Sequence, residues 1–275
     1  MNSTVKRSIT GVLLIAVMVG CLFAGKFFFG AMMAFILASM QHEFYRMTMG
    51  SEFPKSRIAA ICAGLAVFSI VFLIEAYGVS PRYLVLAFIP FFFLVVNSLY
   101  VKDKDEFWMF SHLSAGLLYI VFPLSLTNLL VFRGGVFDGL LLLCFFIIIW
   151  SSDVGAFVFG MAFGQKYGRK LFPSVSPKKS WIGFWGGLAT AVLSAVAMCF
   201  CGWLRMPLVH GIILSVIMNV TGVYGDLFES QWKRCYDLKD SGNMVPGHGG
   251  MLDRFDSALL AIPSGIIYLL LAGIL

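Results

Sequence analysis

Charge is scarce in this chain, and its densest set of chemically useful side chains is SGNMVPGHGGMLDRFD, residues 241–256. In a helix beginning near Leu252, Asp253 and Asp256 are three apart and project from neighbouring faces of the first turn, where the helix dipole favours negative charge. Capping explains one aspartate. It leaves the second unexplained, together with the preceding loop, in which Gly242, Pro246, Gly247, Gly249 and Gly250 surround His248. Glycines there break a helix and let backbone approach a ligand.

Upstream, in TGVYGDLFESQWKRCYDLKD, Asp226, Glu229, Ser230 and Lys233 fall at i, i+3, i+4 and i+7, so they share one helical face. A solvated stripe with a Glu229–Lys233 pair worth about 0.3 kcal/mol is the plain account of that face. Against it, Asp226 follows a long apolar run containing Gly222 and Gly225. Asp153 lies inside the apolar IIIWSSDVGAFVFG, where an unpaired carboxylate costs at least ~2.5 kcal/mol. It must therefore face protein, water or a cation. Gly155, Gly160 and Gly164 beside it form a small-residue stripe that lets the helix approach a neighbour closely.

A fourth stretch, SVSPKKSW, places Ser176, Lys178, Lys179 and Ser180 around Pro177 just ahead of another apolar window. Pro177 is expected at or just before the first helical turn. Two roles stay open for the lysines: membrane anchors that snorkel to the interface, or phosphate-binding cations beside the N–H groups of a helix start. Together, carboxylates next to Lys178, Lys179, Lys233, Arg234 and Lys239 suggest a phosphate-bearing substrate with Mg²⁺, since hard oxygens hold the metal and the cations neutralise the remaining charge.

The elements that must position these groups are membrane helices. Of 275 residues, 60% are hydrophobic and 12% charged, half the charge of an ordinary soluble domain. Nine windows reach the ~20 apolar residues needed to cross the hydrocarbon: Val5–Phe23, Phe27–Met47, Ile58–Tyr77, Arg82–Tyr100, Phe110–Phe132, Phe137–Phe163, Ile182–Leu204, Pro207–Phe228 and Phe255–Leu275. The expectation is an all-α, polytopic integral membrane protein. It forms a single membrane domain over 1–275, with N-terminal helices over 1–105 and the chemistry-bearing helices over 106–275. The first window, behind Lys6 and Arg7, is expected to be an uncleaved anchor because it is long for a signal peptide and the next window follows at once.

Sixteen of the 20 Lys and Arg fall on one side of these windows, against Lys26, Arg82, Arg133 and Arg205 on the other. That asymmetry places the amino terminus in the cytoplasm and the carboxyl terminus outside. It also accounts for the net charge of +6 as topology signals facing an anionic leaflet, without nucleic acid as a partner. Six cysteines form no C-x-x-C pair, so neither a zinc site nor a disulfide framework is indicated.

The run S-x-x-K-R-x-x-x-x-K-D-x-G-x-x-x-P-G-H-G-G-x-x-D-R-x-D is occupied here by Ser230, Lys233, Arg234, Lys239, Asp240, Gly242, Pro246, Gly247, His248, Gly249, Gly250, Asp253, Arg254 and Asp256. It resembles the signature of the phosphatidate cytidylyltransferases, or CDP-diacylglycerol synthases. SPKKSW and Asp153–Ala156 resemble that family too, so the likeness covers about residues 150–257, with His42 and Glu43 as candidate additions from the second window. The resemblance implies the reaction of CTP with phosphatidate to give CDP-diacylglycerol and pyrophosphate. It implies a Mg²⁺ requirement, with room for a second metal ion. Asp226, Asp253 and Asp256 would be the metal ligands and, with His248 and Asp153, the catalytic groups. Ser176, Lys178, Lys179, Ser180, Lys233, Arg234, Lys239, Gly249, Gly250 and Arg254 would bind substrate.

The expected partners are CTP, phosphatidate and bilayer lipid, with a second copy of the chain as a candidate. The expected location is a bacterial inner membrane with the site facing the cytoplasm. A transporter would instead place its carboxylates near the midplane in repeated halves, and no internal repeat is evident. A CTP-dependent lipid-alcohol kinase is the nearest alternative enzyme. The orientation is tested by cysteine labelling. A cysteine at Ser241 is expected to react with impermeant reagents only once the cytoplasmic side is opened, and one at Val136 from outside; the opposite pattern overturns the orientation.

Overall fold

In hydrocarbon every backbone N–H and C=O must be satisfied within its own segment, so apolar windows of this length fold as helices. The computed structural model describes residues 3–100, 107–165, 168–245, 247 and 249–275. The expected site residue His248 and the counted basic residues Lys102, Lys104 and Lys166 lie outside them. The helices are α1 Ser3–Ala24, α2 Lys26–Met49, α3 Pro54–Tyr77, α4 Phe88–Ser98, α5 Trp108–Gly116, α6 Phe122–Val131, α7 Leu140–Phe159, α8 Trp181–Phe200, α9 Leu208–Cys235 and α10 Leu252–Leu271. A π-helical turn, Leu117–Val121, runs α5 into α6, and another, Gly160–Gly164, extends α7.

Among the described residues, seven helical stretches are long and apolar enough to cross a membrane: α2, α3, the continuous Trp108–Val131, Leu140–Gly164, α8, α9 and α10. The other two expected spans appear as shorter apolar stretches, Ile9–Ala24 and Pro81–Val96. The latter is interrupted because a 3₁₀ turn, Pro81–Ala87, occupies its first half. The protein is thus an all-α polytopic integral membrane protein, with two short hairpins at helix ends among the described residues, the first pairing β1, Phe132–Arg133, with β2, Val136–Phe137.

The chain forms two compact units. The first comprises Met1–Asp138 with Asp240–Arg254, and the second Gly139–Lys239 with Phe255–Leu275. In the first unit, α2 is the buried helix, contributing Phe29, Met33, Leu37, Met40, Phe44 and Tyr45 to the core. A polar thread locks it in place: Gln41 Nε2 donates to Tyr45 Oη (3.1 Å) and to the Ala60 carbonyl (3.4 Å), and Tyr45 Oη donates to the Leu113 carbonyl (3.1 Å). Two glycines make room for it, since a Cβ at Gly64 would collide with the Gln41 side chain and one at Gly116 with the Tyr45 ring.

In the second unit the small-residue stripe of α7 does what its spacing promised. A Cβ on Gly155 would meet Thr190 and the Gly186 carbonyl of α8, and one on Gly183 would lie 2.9 Å from the Ala156 carbonyl. Ser152 on α7 donates to Asn219 Oδ1 on α9 at 2.7 Å. Where α9 crosses α10, a Cβ on Gly225 would be 2.5 Å from the Asp256 carbonyl oxygen. That close approach brings Asp226 alongside Asp256.

The SPKKS segment departs from expectation. Ser176–Ser180 is a strand, β4, paired antiparallel with β3, Lys170–Phe172, with Lys170 opposite Ser180 and Phe172 opposite Ser176. Pro177 therefore sits in a strand, not in the first turn of α8. A two-stranded ribbon is all edge, so the missing N–H costs no ladder bond that another strand needs. The helix starts only at Trp181, where the Ser180 hydroxyl accepts from Gly183 N at 3.2 Å.

The labelling test is also refined. Ser241 is 7% exposed, so a thiol there would be shielded whatever the orientation, whereas neighbouring Asn243 is exposed. Asn243→Cys is the proper cytoplasmic reporter, with Val136→Cys as the external one.

Candidate active site

The second unit holds a cluster of carboxylates built by three helices. Asp226, half-buried on α9, has Oδ2 2.5 Å from Lys179 Nζ on β4, and Oδ1 accepts from Ser230 Oγ at 3.3 Å. One turn on, Glu229 is fully buried and forms an ion pair with Lys233, which is 9% exposed. This face of α9 is therefore interior, not the solvated stripe that composition alone allowed. Asp256, on the first turns of α10, lies within electrostatic range of Asp226, Glu229 and Asp153, and its Oδ1 accepts from Ser257 N at 2.7 Å. Four carboxylates thus share one neighbourhood with Lys179 and Lys233, which pair with Asp226 and Glu229.

Such a set has the hard-oxygen donors that Mg²⁺ prefers. Among the described residues, however, no three His, Cys, Asp or Glu side chains are arranged around a common metal position. Asp226 shows why: its carboxylate is turned onto Lys179 and Ser230. The carboxylate oxygens of Asp226 and Asp256 are of the donor type that suits a divalent cation.

The first unit holds the glycine-rich loop. Asp253 Oδ2 collects three donors: Ser241 N at 2.9 Å, Ser241 Oγ at 2.9 Å and Gly250 N at 2.8 Å. The loop is thereby folded back on the first turn of α10, with Val245 N bonded to the Gly249 carbonyl at 3.0 Å. Gly247 (φ +82°) and Gly249 (φ +84°) adopt left-handed backbone that other residues resist. The Gly250 N–H is taken up by Asp253 in this conformation. The carboxylate of Glu43, from α2, lies against the same loop: Oε2 accepts from Leu252 N at 2.8 Å and Ser241 Oγ at 3.4 Å.

The expected phosphate-binding cations divide. Lys179 is engaged at Asp226, while Lys178 is exposed and its carbonyl accepts from Gln165 Nε2 at 2.8 Å. Arg234 donates to the carbonyls of Val175 (3.4 Å) and Leu238 (3.1 Å), tying the end of α9 to the hairpin. Lys239 and Arg254 are exposed, Ser176 is half-buried, and Ser180 is buried as the cap of α8. Ser241 was missed in the sequence because its importance lies in contacts to Asp253 and to Glu43, the latter far away in the chain.

The chain matches the cytidylyltransferase family model over residues 5–272. It belongs to that family. It is similar to proteins named phosphatidate cytidylyltransferase. The one from Bacillus subtilis (strain 168) is 42% identical over 126 residues, covering 46% of this chain and 45% of the relative. The one from Rickettsia bellii (strain RML369-C) is 32% identical over 185 residues, covering 63% and 78%. The one from Haemophilus influenzae is 46% identical over 134 residues, covering 46% and 45%. The matched segment thus spans about half the length of the Bacillus and Haemophilus relatives and over three quarters of the Rickettsia one.

The Glu229–Lys233 pair can be tested apart from activity. Lys233→Met leaves the Glu229 carboxylate buried and uncompensated beside Asp226 and Asp256, and is expected to cost ~3–5 kcal/mol. Thermal unfolding in detergent should show a large fall for Lys233→Met and recovery when Glu229→Leu is added. A single variant as stable as the parent would mean that the pair carries no buried charge.

Proposed function

We propose that this protein transfers the cytidylyl group of CTP to phosphatidate, releasing pyrophosphate and leaving CDP-diacylglycerol in the membrane. The observation that carries this reading is the carboxylate cluster of Asp153, Asp226, Glu229 and Asp256, with Lys179 paired to Asp226, built on apolar helices of a chain in the cytidylyltransferase family. The names of its relatives support the substrates.

The chemistry asks little of a general base. A phosphate monoester with a second pKa near ~6 is mostly dianionic at pH 7, so an oxygen of phosphatidate can attack the α-phosphorus of CTP directly. One P–O bond forms, the bond to the β-phosphate breaks, and pyrophosphate leaves without a proton having to be found. The barrier is repulsion between the lipid dianion and the triphosphate. Asp226 and Asp256 would hold Mg²⁺, which when bound supplies the positive charge that offsets this repulsion. Lys179 places an ammonium at the same carboxylates, where triphosphate charge must be neutralised. Asp253 would act by shaping the glycine loop, a reading that its three donors support. Phosphatidate cannot leave the bilayer and CTP cannot enter it, so the reading places the site at the boundary, facing the cytoplasm of a bacterial inner membrane.

Purified protein in detergent, given CTP, Mg²⁺ and phosphatidate, is expected to form CDP-diacylglycerol and pyrophosphate in equal amounts. A transporter would do nothing without a sealed compartment, and a lipid kinase would release CDP; either result overturns the reading. Asp226→Asn and Asp253→Asn are expected to abolish turnover in folded protein. Lys179→Gln should lower kcat/KM for CTP about ten-fold or more, ~1.4 kcal/mol. Lys178→Gln, whose side chain is exposed, should stay within about three-fold of the parent. Unchanged kinetics in both would return the two lysines to the role of membrane anchors.

A further inference from the structure

Glu43 is a carboxylate near the end of an apolar helix, 4% exposed, with Phe44 and Tyr45 beside it in the core. Such a group is expensive to bury unless something answers its charge. What answers it lies over 190 residues away in the chain. Leu252, the first residue of α10, has an N–H without an intrahelical acceptor, as every helix start does. Met251 before it offers no side-chain oxygen. Glu43 Oε2 fills that place from another helix, accepting from Leu252 N at 2.8 Å and meeting the positive end of the α10 dipole.

The same oxygen touches Ser241 Oγ at 3.4 Å, and Ser241 holds Asp253 Oδ2 through both its N–H and its hydroxyl. The backbone is pressed onto this carboxylate: a Cβ on Gly242 would lie 2.6 Å from Glu43 Oε1, and one on Gly250 2.5 Å from Oε2. Gly242 is thus accounted for by Glu43, and Gly250 by Ser241 and Glu43 together. The other oxygen, Oε1, is buried with no hydrogen-bond partner among the described residues. Glu43 is itself held by the Gln41–Tyr45 thread on either side of it, so it is a rigid post for a loop that has no regular structure of its own.

We propose that Glu43 is a positioning residue: by engaging Leu252 N and Ser241 Oγ, it holds Ser241 and Gly250–Leu252 in the arrangement in which Ser241 and Gly250 fix the carboxylate of Asp253. Glu43→Ala removes the acceptor and the post. Glu43→Gln keeps an acceptor and nearly the same volume, and is the conservative rescue.

Two measurements on the full-length protein in detergent test this. The first is amide hydrogen exchange, which reports local opening. Glu43→Ala should raise exchange at Ser241, Gly250 and Leu252 by about ten-fold or more while α9 keeps the parent rate, and Glu43→Gln should stay within about three-fold. Unchanged exchange in the loop overturns the proposal, and so does a rise spread over the whole chain, which would make Glu43 a general stability residue. The second rests on the cytidylyl-transfer reading: kcat should fall about ten-fold or more in Glu43→Ala with KM for CTP within about three-fold, and recover in Glu43→Gln. A loosened loop with unchanged kcat overturns the positioning role. Failure of the parent protein itself to form CDP-diacylglycerol would count against the reaction; the role proposed for Glu43 in that reaction would fall with it, and the exchange result would still decide whether Glu43 holds the loop.

Discussion

A carboxylate carried into an apolar helix must be answered by a partner at close range, and the chemically useful parts of this molecule follow from that demand. Glu229 is answered by Lys233 and Asp226 by Lys179 and Ser230. Glu43 is answered by the N–H of Leu252 and the hydroxyl of Ser241. At Glu43, and where α9 meets α10, the backbone comes unusually close to its neighbour. Glycine permits that approach at Gly225 against Asp256 and at Gly242 and Gly250 against Glu43. Small residues and charges are therefore two halves of one device, in which the first allows helices and loops to meet and the second gives them a reason to stay.

Within the second unit Asp153, Asp226 and Glu229 lie within electrostatic range of Asp256, with Lys179 paired to Asp226 and Lys233 to Glu229. Excess negative charge in a partly buried place is costly unless a cation shares it. A site that turns over a metal-bound nucleotide has that need built in, because the cation arrives with the substrate. On the proposed function, Lys179 would have two alternative anions, the Asp226 carboxylate it pairs with here or a phosphate of the nucleotide.

Much of the architecture was legible in the residues. Apolar windows marked the helices, the i to i+7 face of α9 predicted the Glu229–Lys233 pair, and Gly155, Gly160 and Gly164 predicted the close α7–α8 contact. Burial of that pair was not legible, because i, i+4 spacing is the same on a wet face and a dry one. The strand at Ser176–Ser180 was missed since a proline ahead of an apolar window is as good a helix start as a strand residue, and only pairing with Lys170–Phe172 decides. Glu43 carried a signal, a carboxylate at the inner end of an apolar run. Its partners did not, because no local pattern links a side chain to backbone some 200 residues away. The same holds for Ser241, whose ordinary serine gives no hint of two carboxylates beside it.

The central claim is that Asp226 and Asp256 form a cation site within the carboxylate cluster. Electron paramagnetic resonance of Mn²⁺ added to the purified protein, in the presence of CTP, tests it without relying on turnover. Bound Mn²⁺ in the parent protein, lost in Asp256→Asn and in Asp226→Asn but retained in Lys178→Gln, is the result this account predicts. Equal Mn²⁺ binding in the parent and in both aspartate variants would contradict it.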